Sequence, residues 1–565
     1  MAANNTNCTE AGKLHLKYVR EKYDENGLLT DFDLELPDNF NFAYDIIDEI
    51  ARIEPDRRAL IWTDDIGNER IFTYSELSKL SNKAANMFLA HGVKKGDRVL
   101  CILKRHYQVY YTILGLCKIG AVMIPATNQL KKKDLVYRIE KSHTKFIVST
   151  PDDDVAETFE ASLENYDGLC EKFIVKGTRE GWVDFDSEIE KYPDTLERIP
   201  NNVNDDMLMF FSSGTTGYPK MVLHAHHYAA AHIITAKHWH NLNSESIHLT
   251  ISDSGWAKFF WGKIYGQMAL ACTLFVYDFD RFHPDKVLSM IEKYKLTSLC
   301  CPPTMLRFFI KEGIGDYDLS SLKYATTAGE ALNAEVFNKF YEYTGLKLME
   351  GFGQTETVVV VGNLTGAEIR TGSMGKPVPL YDVIIADEND NECPVGQTGE
   401  ICIRLDTRPN WGLFKCYYGS DDNTGRAKRN NLYHTGDTAY RDEDGYYWYV
   451  SRIDDVIKSS GYRIGPFEIE SILMEHPAVM ECAVTGAPDP IRGTVVKATI
   501  VLTAAYKDKA GDALVKELQN YVKNTTAPYK YPRIIEFTDE LPKTFSGKIK
   551  RADIRNKDHG INTNE

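Results

Sequence analysis

Short apolar runs alternate with amphipathic stretches in the first third of this chain. The apolar runs lie at 98–103, 121–125 and 145–149, and stretches with helical spacing lie between them at 106–119 and 135–141. Strands that alternate with helices in this way are typical of βαβ units and a parallel sheet. The pattern therefore predicts a βαβαβ unit between Arg98 and Thr150.

A second series of the same kind lies nearer the middle of the chain. Its apolar runs and helical stretches follow one another at 296–301, 304–311, 322–327, 336–343 and 347–350. The same reasoning predicts a second parallel sheet. Between 378 and 449 the segments become short and alternating, with a turn signal at Gly445, which predicts a small barrel-like β portion.

The pattern of apolar and polar residues changes again after Ser451. Helices are predicted at 466–474 and 512–523, with strands at 479–485, 495–502 and 534–538. Such a compact α+β unit of about a hundred residues is large enough for a domain of its own. We therefore predict an α/β protein with a large domain at 1–453 and a small α+β domain at 454–565.

Length, charge and hydropathy indicate how many domains to expect and argue against a nucleic-acid-binding or membrane-spanning protein. A chain of 565 residues exceeds what one core supports, so two or more domains are expected. The net charge of −15 does not favour binding to the negatively charged backbone of nucleic acid. The most apolar stretch, 107–125, is interrupted by Lys118 and Gly120 and is better explained as helix, turn and strand than as a membrane span.

The spacing of the cysteines and the N-terminal residues bear on the cellular compartment of the protein. None of the 11 cysteines forms a CxxC pair, and the adjacent Cys300 and Cys301 lie in an apolar run, as buried small residues do. The N-terminal residues show neither a secretory pattern nor an Arg-rich presequence. A reduced, cytoplasmic protein is the simplest expectation.

The loop from Ser212 to Lys220 carries the most specific chemistry. It follows the apolar run 207–211 and precedes a helical stretch at 227–238, so the predicted order is strand, loop, helix. Glycines allow close approach of the backbone to a ligand, and successive N–H groups with hydroxyls and a lysine suit a polyphosphate. The loop differs from the phosphate loop of kinases, because Tyr218 and Pro219 separate its last glycine from the lysine. An ordinary surface turn is the alternative.

Two other segments place glycines and polar residues after a predicted strand. They are 327–332 and 350–357. Ligands bind beyond the carboxyl ends of strands in open parallel sheets, so these loops are expected to meet over one crevice.

Six motifs then occur in a fixed order along the chain. They are SSGTTGYPK (212–220), AGEAL (328–332), GFGQTET (351–357), YHTGD (433–437), RIDDVIKSSGYRIGP (452–466) and PKTFSGKIKR (542–551). With them the chain resembles the adenylate-forming enzymes, which include acyl-CoA synthetases, adenylation domains of peptide synthetases and luciferases. Within that group it is most similar to medium-chain acyl-CoA synthetases, through VTGAPDPIRGTVVKA and TAPYKYPRIIEF as well.

The resemblance implies two half-reactions. A carboxylate attacks the α-phosphorus of ATP and releases pyrophosphate, and the thiol of coenzyme A then attacks the acyl carbon and releases AMP. No enzyme nucleophile is needed, so charge neutralisation and positioning should dominate catalysis. Lys548 is the implied catalytic cation between carboxylate and α-phosphate, Thr355 the α-phosphate contact and Glu356 the Mg²⁺ ligand.

The resemblance also implies the rest of the ATP site. The phosphates would lie against Ser212, Ser213, Gly214, Thr215, Thr216, Gly217 and Lys220. Adenine and its surroundings would involve Gly329, Glu330, Ala331, Glu350, Gly351, Phe352, Gly353 and Gln354. Asp437 and Arg452 would hold the ribose, and Arg463 would touch ATP.

Coenzyme A and a hinge complete the implied site. The CoA contacts would be Ser460, Gly461, Tyr462, Arg492 and Lys523. Rotation of the small, mobile domain about Asp454 would bring them to the crevice in place of Lys548, because one arrangement cannot serve both half-reactions.

The acyl pocket is the least specified region. Trp256, Lys258, Trp261 and Gly353 are its candidate residues. Acetate-specific relatives carry a tryptophan in the motif written GFGQTET here, so its absence is expected to free on the order of 200 Å² of apolar lining. Acetate is therefore disfavoured, and a short- to medium-chain acid, straight or branched, is preferred.

Several alternatives stay open at this stage. One is an aryl-CoA ligase, another is an adenylating enzyme that loads a carrier protein, and a third is a nucleotide- or acyl-binding sensor without catalysis. The oligomeric state and the preferred acid are not specified by the pattern. The histidines of His224-Ala225-His226-His227 are expected to be structural, since no cysteine or carboxylate stands at ligand spacing.

Overall fold

A computed structural model describes residues 9–212, 218–459, 462–490, 493–544 and 548–559, apart from the Arg463 side chain. Its first large sheet has eight strands and contains the predicted βαβαβ unit. In spatial order the strands are Cys416–Tyr417, Lys220–Ala225, Asp206–Ser212, Val122–Pro125, Arg98–Ile102, Phe146–Ser149, Glu171–Ile174 and Val183–Asp184. The helices between them are Gln108–Ile119, Lys132–Ser142, Val155–Ser162 and Phe185–Glu188.

The second large sheet has nine strands and contains the second predicted series. In order they are Lys376–Pro377, Val361–Gly362, Leu348–Phe352, Tyr324–Ala328, Ser298–Cys300, Ile247–Thr250, Thr273–Asp278, Arg58–Asp64 and Glu69–Thr73. Its accompanying helices are Glu49–Ile53, Tyr74–Ala90, His227–Ile234, Ala257–Gly262, Tyr265–Ala269, Pro284–Tyr294, Pro303–Glu312 and Ala334–Thr344. The α/β prediction with two βαβ-type sheets is confirmed.

The predicted order of strand, loop and helix omits one strand. The segment after the phosphate loop is a strand, Lys220–Ala225, which pairs antiparallel with Asp206–Ser212 so that Ser212 faces Lys220. The helix then begins at His227, where the predicted helical stretch begins. The loop therefore joins the two strands of a hairpin, because the apolar residues 221–223 extend the sheet into its core instead of starting a helix.

A smaller antiparallel sheet follows, as predicted. Its strands are Val383–Ala386, Gly399–Arg404, Leu432–Arg441, Lys428–Arg429 and Tyr447–Arg452, with one short helix, Asp421–Ala427. Gly445 turns the last hairpin with φ of 83°, a conformation that glycine adopts without strain. A bulge lies between the pairs Glu400–Thr438 and Cys402–His434, so residues 435–437 have no regular pairing with the strand Gly399–Arg404.

The C-terminal part has a core of its own. Two short strands, Ile457–Ser459 and Tyr462–Ile464, precede a sheet of Val479–Asp489, Gly493–Leu502 and Ile534–Thr538 with helices Pro466–Met474, Asp512–Thr525 and Arg551–Asp558. Its apolar cluster is drawn from residues 457–537 alone. A hairpin of Val19–Tyr23 and Leu29–Leu34 lies near the other end of the chain. Among the described residues, no helix combines the length and apolarity that crossing a membrane requires.

Candidate active site

The loops that are predicted to line adenine follow two neighbouring parallel strands. Thr327 pairs with Glu350, and the strands Tyr324–Ala328 and Leu348–Phe352 end at the same edge. The buried Glu350 carboxylate accepts a hydrogen bond from Leu332 N at 3.0 Å, which holds the loop that contains Gly329, Glu330 and Ala331. Burial raises the pKa of Glu350 to about 8. The two sequence-predicted loops do meet over one crevice edge, with Phe352 half-buried beside them.

Glu330 faces the helix Pro303–Glu312. Its carboxylate accepts a hydrogen bond from the Thr304 hydroxyl at 2.8 Å, and Arg307 lies 3.7 Å away. Gly329 has φ of 103° and an exposed position, where any side chain would be strained. The loop thus presents backbone to the crevice while its one charged side chain is oriented by neighbouring groups.

Gln354 connects two of the motifs. Its Nε2 donates to Asp437 Oδ2 at 2.6 Å and to Thr435 O at 2.7 Å, and its Oε1 accepts from Tyr433 OH at 2.6 Å. Both amide hydrogens are therefore used within the protein. This side chain positions Asp437, and a nucleotide could be contacted by the Gln354 backbone.

Asp437 and Arg452 lie opposite each other on neighbouring antiparallel strands. The Asp437 carboxylate is buried, accepts from Tyr449 OH at 3.2 Å and lies 3.5 Å from Arg452 Nε. Burial raises the pKa of Asp437, and the positive charge of Arg452 opposes that rise. The pair is an acceptor and a donor group side by side, as hydroxyl recognition requires.

Glu356 lies deeper, next to Thr355. Its Oε1 accepts from Tyr417 OH at 2.9 Å, and the Lys220 ammonium lies 4.7 Å from the centre of the Tyr417 ring. Burial raises the pKa of this carboxyl group, while Tyr417, Lys220 and Arg452 oppose the rise. Thr355 is held by its backbone, because its carbonyl accepts from His224 Nε2 at 2.8 Å. Tyr417 therefore lies between the Lys220 end of the hairpin and the Glu356 carboxylate.

Lys548 comes to this crevice from the C-terminal part. The residue is exposed to the open crevice, yet the protein around its ammonium lowers its pKa. Glu330 and Asp437 are the negative groups that favour its charged form, and Arg452 and Lys258 are the positive groups that disfavour it. Residues from three separate motifs thus surround the candidate catalytic cation.

Several predicted contacts lie elsewhere or outside the described residues. Ser213, Gly214, Thr215, Thr216, Gly217, Ser460, Gly461, Arg492 and the Arg463 side chain lie outside the described part of the chain. Tyr462 stacks on Tyr529, with ring centres 4.1 Å apart, and Lys523 lies 4.1 Å from the centre of the Tyr531 ring. Within the described ranges, neither makes a hydrogen bond or ion pair to the crevice residues. Asp454 is exposed in the short turn Ile453–Asp455.

The expectation of free space in the acyl region is wrong. A Cβ atom on Gly353 would lie 2.2 Å from Trp261 Cη2, and one on Gly351 would lie 2.5 Å from Trp239 Cε2. Indoles from other elements therefore already fill the space next to these glycines. Trp256 is half-buried, and Lys258 Nζ donates to Ala328 O at 2.9 Å, beside the adenine loop.

Sequence reasoning missed the residues that support the site. Tyr417, Tyr449 and Trp239 lie outside the six motifs, so no local pattern distinguishes them from ordinary core, and Tyr433 begins the motif YHTGD without having been given a role. The histidines 224, 226 and 227 are buried, and burial lowers their pKa values to about 3, 4 and 4. Their hydrogen bonds and neutral state fit the structural role that was expected of them.

Comparison with known proteins agrees with this geometry. The profile of the AMP-binding enzyme family matches residues 47–418, and that of the AMP-binding enzyme C-terminal domain matches residues 468–548. The mitochondrial acyl-coenzyme A synthetase ACSM3 of Homo sapiens is 41% identical over 536 residues, which cover 94% of this chain and 91% of the relative. The mitochondrial acyl-coenzyme A synthetase ACSM5 of Rattus norvegicus is 40% identical over 533 residues, 93% of this chain and 92% of the relative.

Solved structures give the same result. The anthranilate CoA ligase AuaEII in complex with anthranoyl-AMP has a TM-score of 0.85 at 28% identity, covering 93% of this chain and 98% of that one. The acyl-CoA synthetase of Brucella canis has a TM-score of 0.71 at 30% identity, covering 93% and 96%. With both family profiles matched and similarity along nearly its whole length, the chain belongs to the AMP-binding enzyme family.

Proposed function

We propose that this protein is an AMP-forming acyl-coenzyme A synthetase. A carboxylate oxygen of the acid attacks the α-phosphorus of ATP, the bond to the β-phosphate oxygen breaks, and pyrophosphate leaves. The sulfur of coenzyme A then attacks the acyl carbon, and AMP leaves with the electrons of the acyl–oxygen bond. The observation that supports this most strongly is that Lys548, from the C-terminal part, lies near enough to Glu330, Asp437 and Arg452 for their charges to act on its ammonium.

The residues have distinct tasks in adenylation. Asp437 accepts hydrogen bonds from the ribose hydroxyls, with Arg452 beside it, while the Gly329–Ala331 backbone lines the adenine. Lys548 lies between the attacking carboxylate and the α-phosphate, where a compact positive charge reduces the repulsion of two anions. Thr355 contacts the α-phosphate, and the 212–220 hairpin holds the β- and γ-phosphates.

The carboxylate of Glu356 fits a magnesium ion. Mg²⁺ is commonly held by one or two carboxylates together with substrate phosphates. Glu356 is buried, has Oε1 bonded to Tyr417 and carries a carboxyl group whose pKa burial raises, so a cation would relieve its desolvation. Magnesium bound there would neutralise charge on the phosphates. The chain's own part is to place one oxygen ligand beside Lys220 and Thr355.

Coenzyme A would be held by the C-terminal part. Lys523 and Arg533 lie 4.1 and 4.9 Å from the centre of the Tyr531 ring, which forms an aromatic and cationic surface suited to a phosphorylated nucleotide. Tyr462 and Tyr529 form a second stacked pair, with Tyr462 half exposed. Rotation at Asp454 would turn these groups toward the acyl-adenylate.

The indoles of Trp261 and Trp239 favour a compact acid. They close the space behind Gly353 and Gly351, so a short, branched or aromatic acyl group suits the site better than a long straight chain. A ligase for aryl acids is a second candidate, because an aromatic ring is itself a compact acyl group; one such enzyme, the anthranilate CoA ligase AuaEII, has a TM-score of 0.85 to this chain. The fold is shared by both kinds of enzyme and does not distinguish them.

A panel of straight, branched and aromatic acids from C2 to about C10 tests the proposal. Formation of AMP that depends on both acid and coenzyme A is expected, with a maximum among compact acids. Adenylation without thioester formation would indicate loading of a carrier protein instead. Absence of pyrophosphate release with every acid would leave only a binding function.

The cytoplasm remains our proposal for location, based on reduced thiols. The described cysteines are all free, which fits any reducing compartment. The relatives named above are mitochondrial. A fluorescent protein fused to the C-terminus of the full chain should give a diffuse signal, whereas overlap with a mitochondrial dye would contradict the proposal.

A further inference from the structure

Metal-binding side chains lie together beneath the bulge that carries Asp437. Glu400, Cys402 and His434 each offer one ligand atom, and these atoms all lie within 4.8 Å of one another. Cys402 and His434 are direct partners on antiparallel strands. Glu400 shares the face of Cys402, because side chains two residues apart in a strand point the same way.

We propose that these three residues form a Zn²⁺ site, separate from the magnesium ligand Glu356. Cys402 Sγ, His434 Nδ1 and Glu400 Oε2 bind the ion, and a water completes the tetrahedron. Zinc bonds of about 2.0–2.3 Å at tetrahedral angles place ligand atoms about 3.3–3.6 Å apart. His434 Nδ1 lies 3.5 Å from Cys402 Sγ and 2.9 Å from Glu400 Oε2, so small shifts are enough.

The far side of the imidazole supports the same assignment. His434 is 8% exposed, and its Nε2 is buried without a hydrogen-bond partner in the described ranges. Asp390 Oδ1 lies 3.7 Å from that nitrogen. Zinc on Nδ1 requires that the ring proton be on Nε2. From there the N–H can donate a hydrogen bond to the Asp390 carboxylate. Carboxylates behind metal-bound histidines fix the tautomer in this manner.

The ligand set favours zinc over magnesium. A buried thiolate and an imidazole are soft to borderline ligands, whereas magnesium prefers oxygen ligands only. Cys402 is 0% exposed and the side chains of His434 and Glu400 are 4% and 13% exposed, so the ion would be largely shielded from water. Binding releases the Cys402 thiol proton to solvent and moves the His434 ring proton from Nδ1 to Nε2, with no change of oxidation state.

The site is connected to the nucleotide crevice through Glu400. Glu400 Oε1 accepts a hydrogen bond from Gly436 N at 2.8 Å, next to Asp437. Gly436 has φ of 74°, a conformation that needs support from its surroundings. Zinc on Oε2 would therefore hold the bulge, and we expect a more stable protein instead of an inhibited one.

Cobalt titration of the chelator-treated full chain tests the proposal. The background variant is Cys170→Ser, because Cys170 is the exposed cysteine among those described and could bind metal adventitiously. We expect one Co²⁺ per chain with a thiolate charge-transfer band that Zn²⁺ abolishes. Added Cys402→Ser should remove the band and weaken binding at least about 100-fold. Asp390→Asn should keep the band and weaken binding about 10- to 100-fold.

Thermal unfolding and adenylation provide the remaining readouts. Zinc should raise the unfolding midpoint of the background protein and leave that of the Cys402→Ser variant unchanged. Zinc-free adenylation by this variant, within about twofold of the background, would show that it folds, and it tests the proposed enzyme function separately. Equal metal affinity with and without Cys402 would mean adventitious metal only. The proposal would also be overturned if His434 were a protonated imidazolium that bridges Glu400 and Asp390 while the protein bound less than one metal ion per chain.

Discussion

The Asp437 side of the crevice, where we propose that the ribose binds, and the Lys548 side are built in different ways. Asp437 is held by Gln354, Tyr449 and Arg452, all of which belong to the same part of the chain, and its neighbours are themselves hydrogen-bonded. Lys548 instead lies on a loop that Thr544 closes. The Lys548 carbonyl accepts a hydrogen bond from Thr544 N, and Lys548 N donates one to the Thr544 hydroxyl. The position of the Asp437 side chain is therefore fixed before any ligand binds, whereas Lys548 is supplied by the C-terminal part, which has a core of its own.

The two parts meet through a small number of aromatic and polar groups that can be named. Phe467 meets Tyr449 edge-on with ring centres 5.9 Å apart, and a cavity of about 390 Å³ is lined by Glu475 together with Glu335 and Lys339 of the helix Ala334–Thr344. The difference teaches that one side of a crevice can be preorganised while the other side is supplied by a second core, as the proposed exchange of Lys548 between two half-reactions requires.

Replacing Lys548 with Ala should separate the two sides most sharply. Adenylation is expected to fall about 100- to 1,000-fold, because a charge aimed at the transition state is lost, while thioester formation from supplied acyl-AMP stays within a few fold. Pyrophosphate exchange and single-turnover thioester assays measure the two steps. Lys550→Ala, which removes an exposed lysine of the same loop, is the matched control. Equal losses in both steps would exclude a role specific to adenylation.

Replacing Asp437 with Asn tests the fixed side. The new amide would direct its hydrogens toward Arg452 or Gln354, which are also donors, so kcat/KM for ATP should fall about 10- to 100-fold with little change in KM for the acid. Asp442→Asn, in the turn that follows the strand Leu432–Arg441, is the control, because Asp442 also pairs with an arginine, Arg370. A loss confined to the acid would contradict ribose recognition.

Replacing Trp261 with Leu should lengthen the preferred acid. Each methylene that enters the vacated space is worth about 0.8 kcal/mol, or about fourfold in relative kcat/KM, so two methylenes should give about 15-fold. Trp182→Leu is the matched control, because Trp182 is 8% exposed against 7% for Trp261 and donates a hydrogen bond to Glu160. An unchanged chain-length profile would remove Trp261 from the acyl pocket.

Glu350 should produce the smallest effect, a pH dependence of stability. Its pKa is raised from the ordinary 4.5 to about 8 in the folded state, so the folded chain keeps a proton that the unfolded chain loses. Stability from this group is complete below about 4.5 and declines as the pH rises toward about 8. Glu350→Gln, which keeps an acceptor for Leu332 N, should therefore gain more stability at pH 8 than at pH 5.

Thermal unfolding at both pH values measures this gain. Glu342→Gln, at an exposed position next to Lys339, should change little between them. A Glu350→Gln gain that is equal at both pH values would show that the Glu350 carboxyl group is ionised in the folded state.

Local pattern was sufficient for many elements. The predicted helix at 466–474 and strand at 534–538 match the structure to the residue, because apolar spacing and flanking turns agree there. Strands such as Ile247–Thr250 and Thr273–Asp278 lack such flanks and were not predicted. The hairpin after Ser212 shows the same limit, since a six-residue strand before a histidine-rich helix has no period of its own.

The sequence by itself determined the family, the two βαβ-type sheets and the order of the motif loops, because these depend on periodicity and on residue types with specific chemistry. Only the tertiary structure decided which groups meet. It filled the space beside Gly351 and Gly353 with distant indoles, tied Gln354 to Asp437, and brought Cys402 against His434. Contacts of this kind depend on register and packing between elements far apart in the chain, and no local pattern records them.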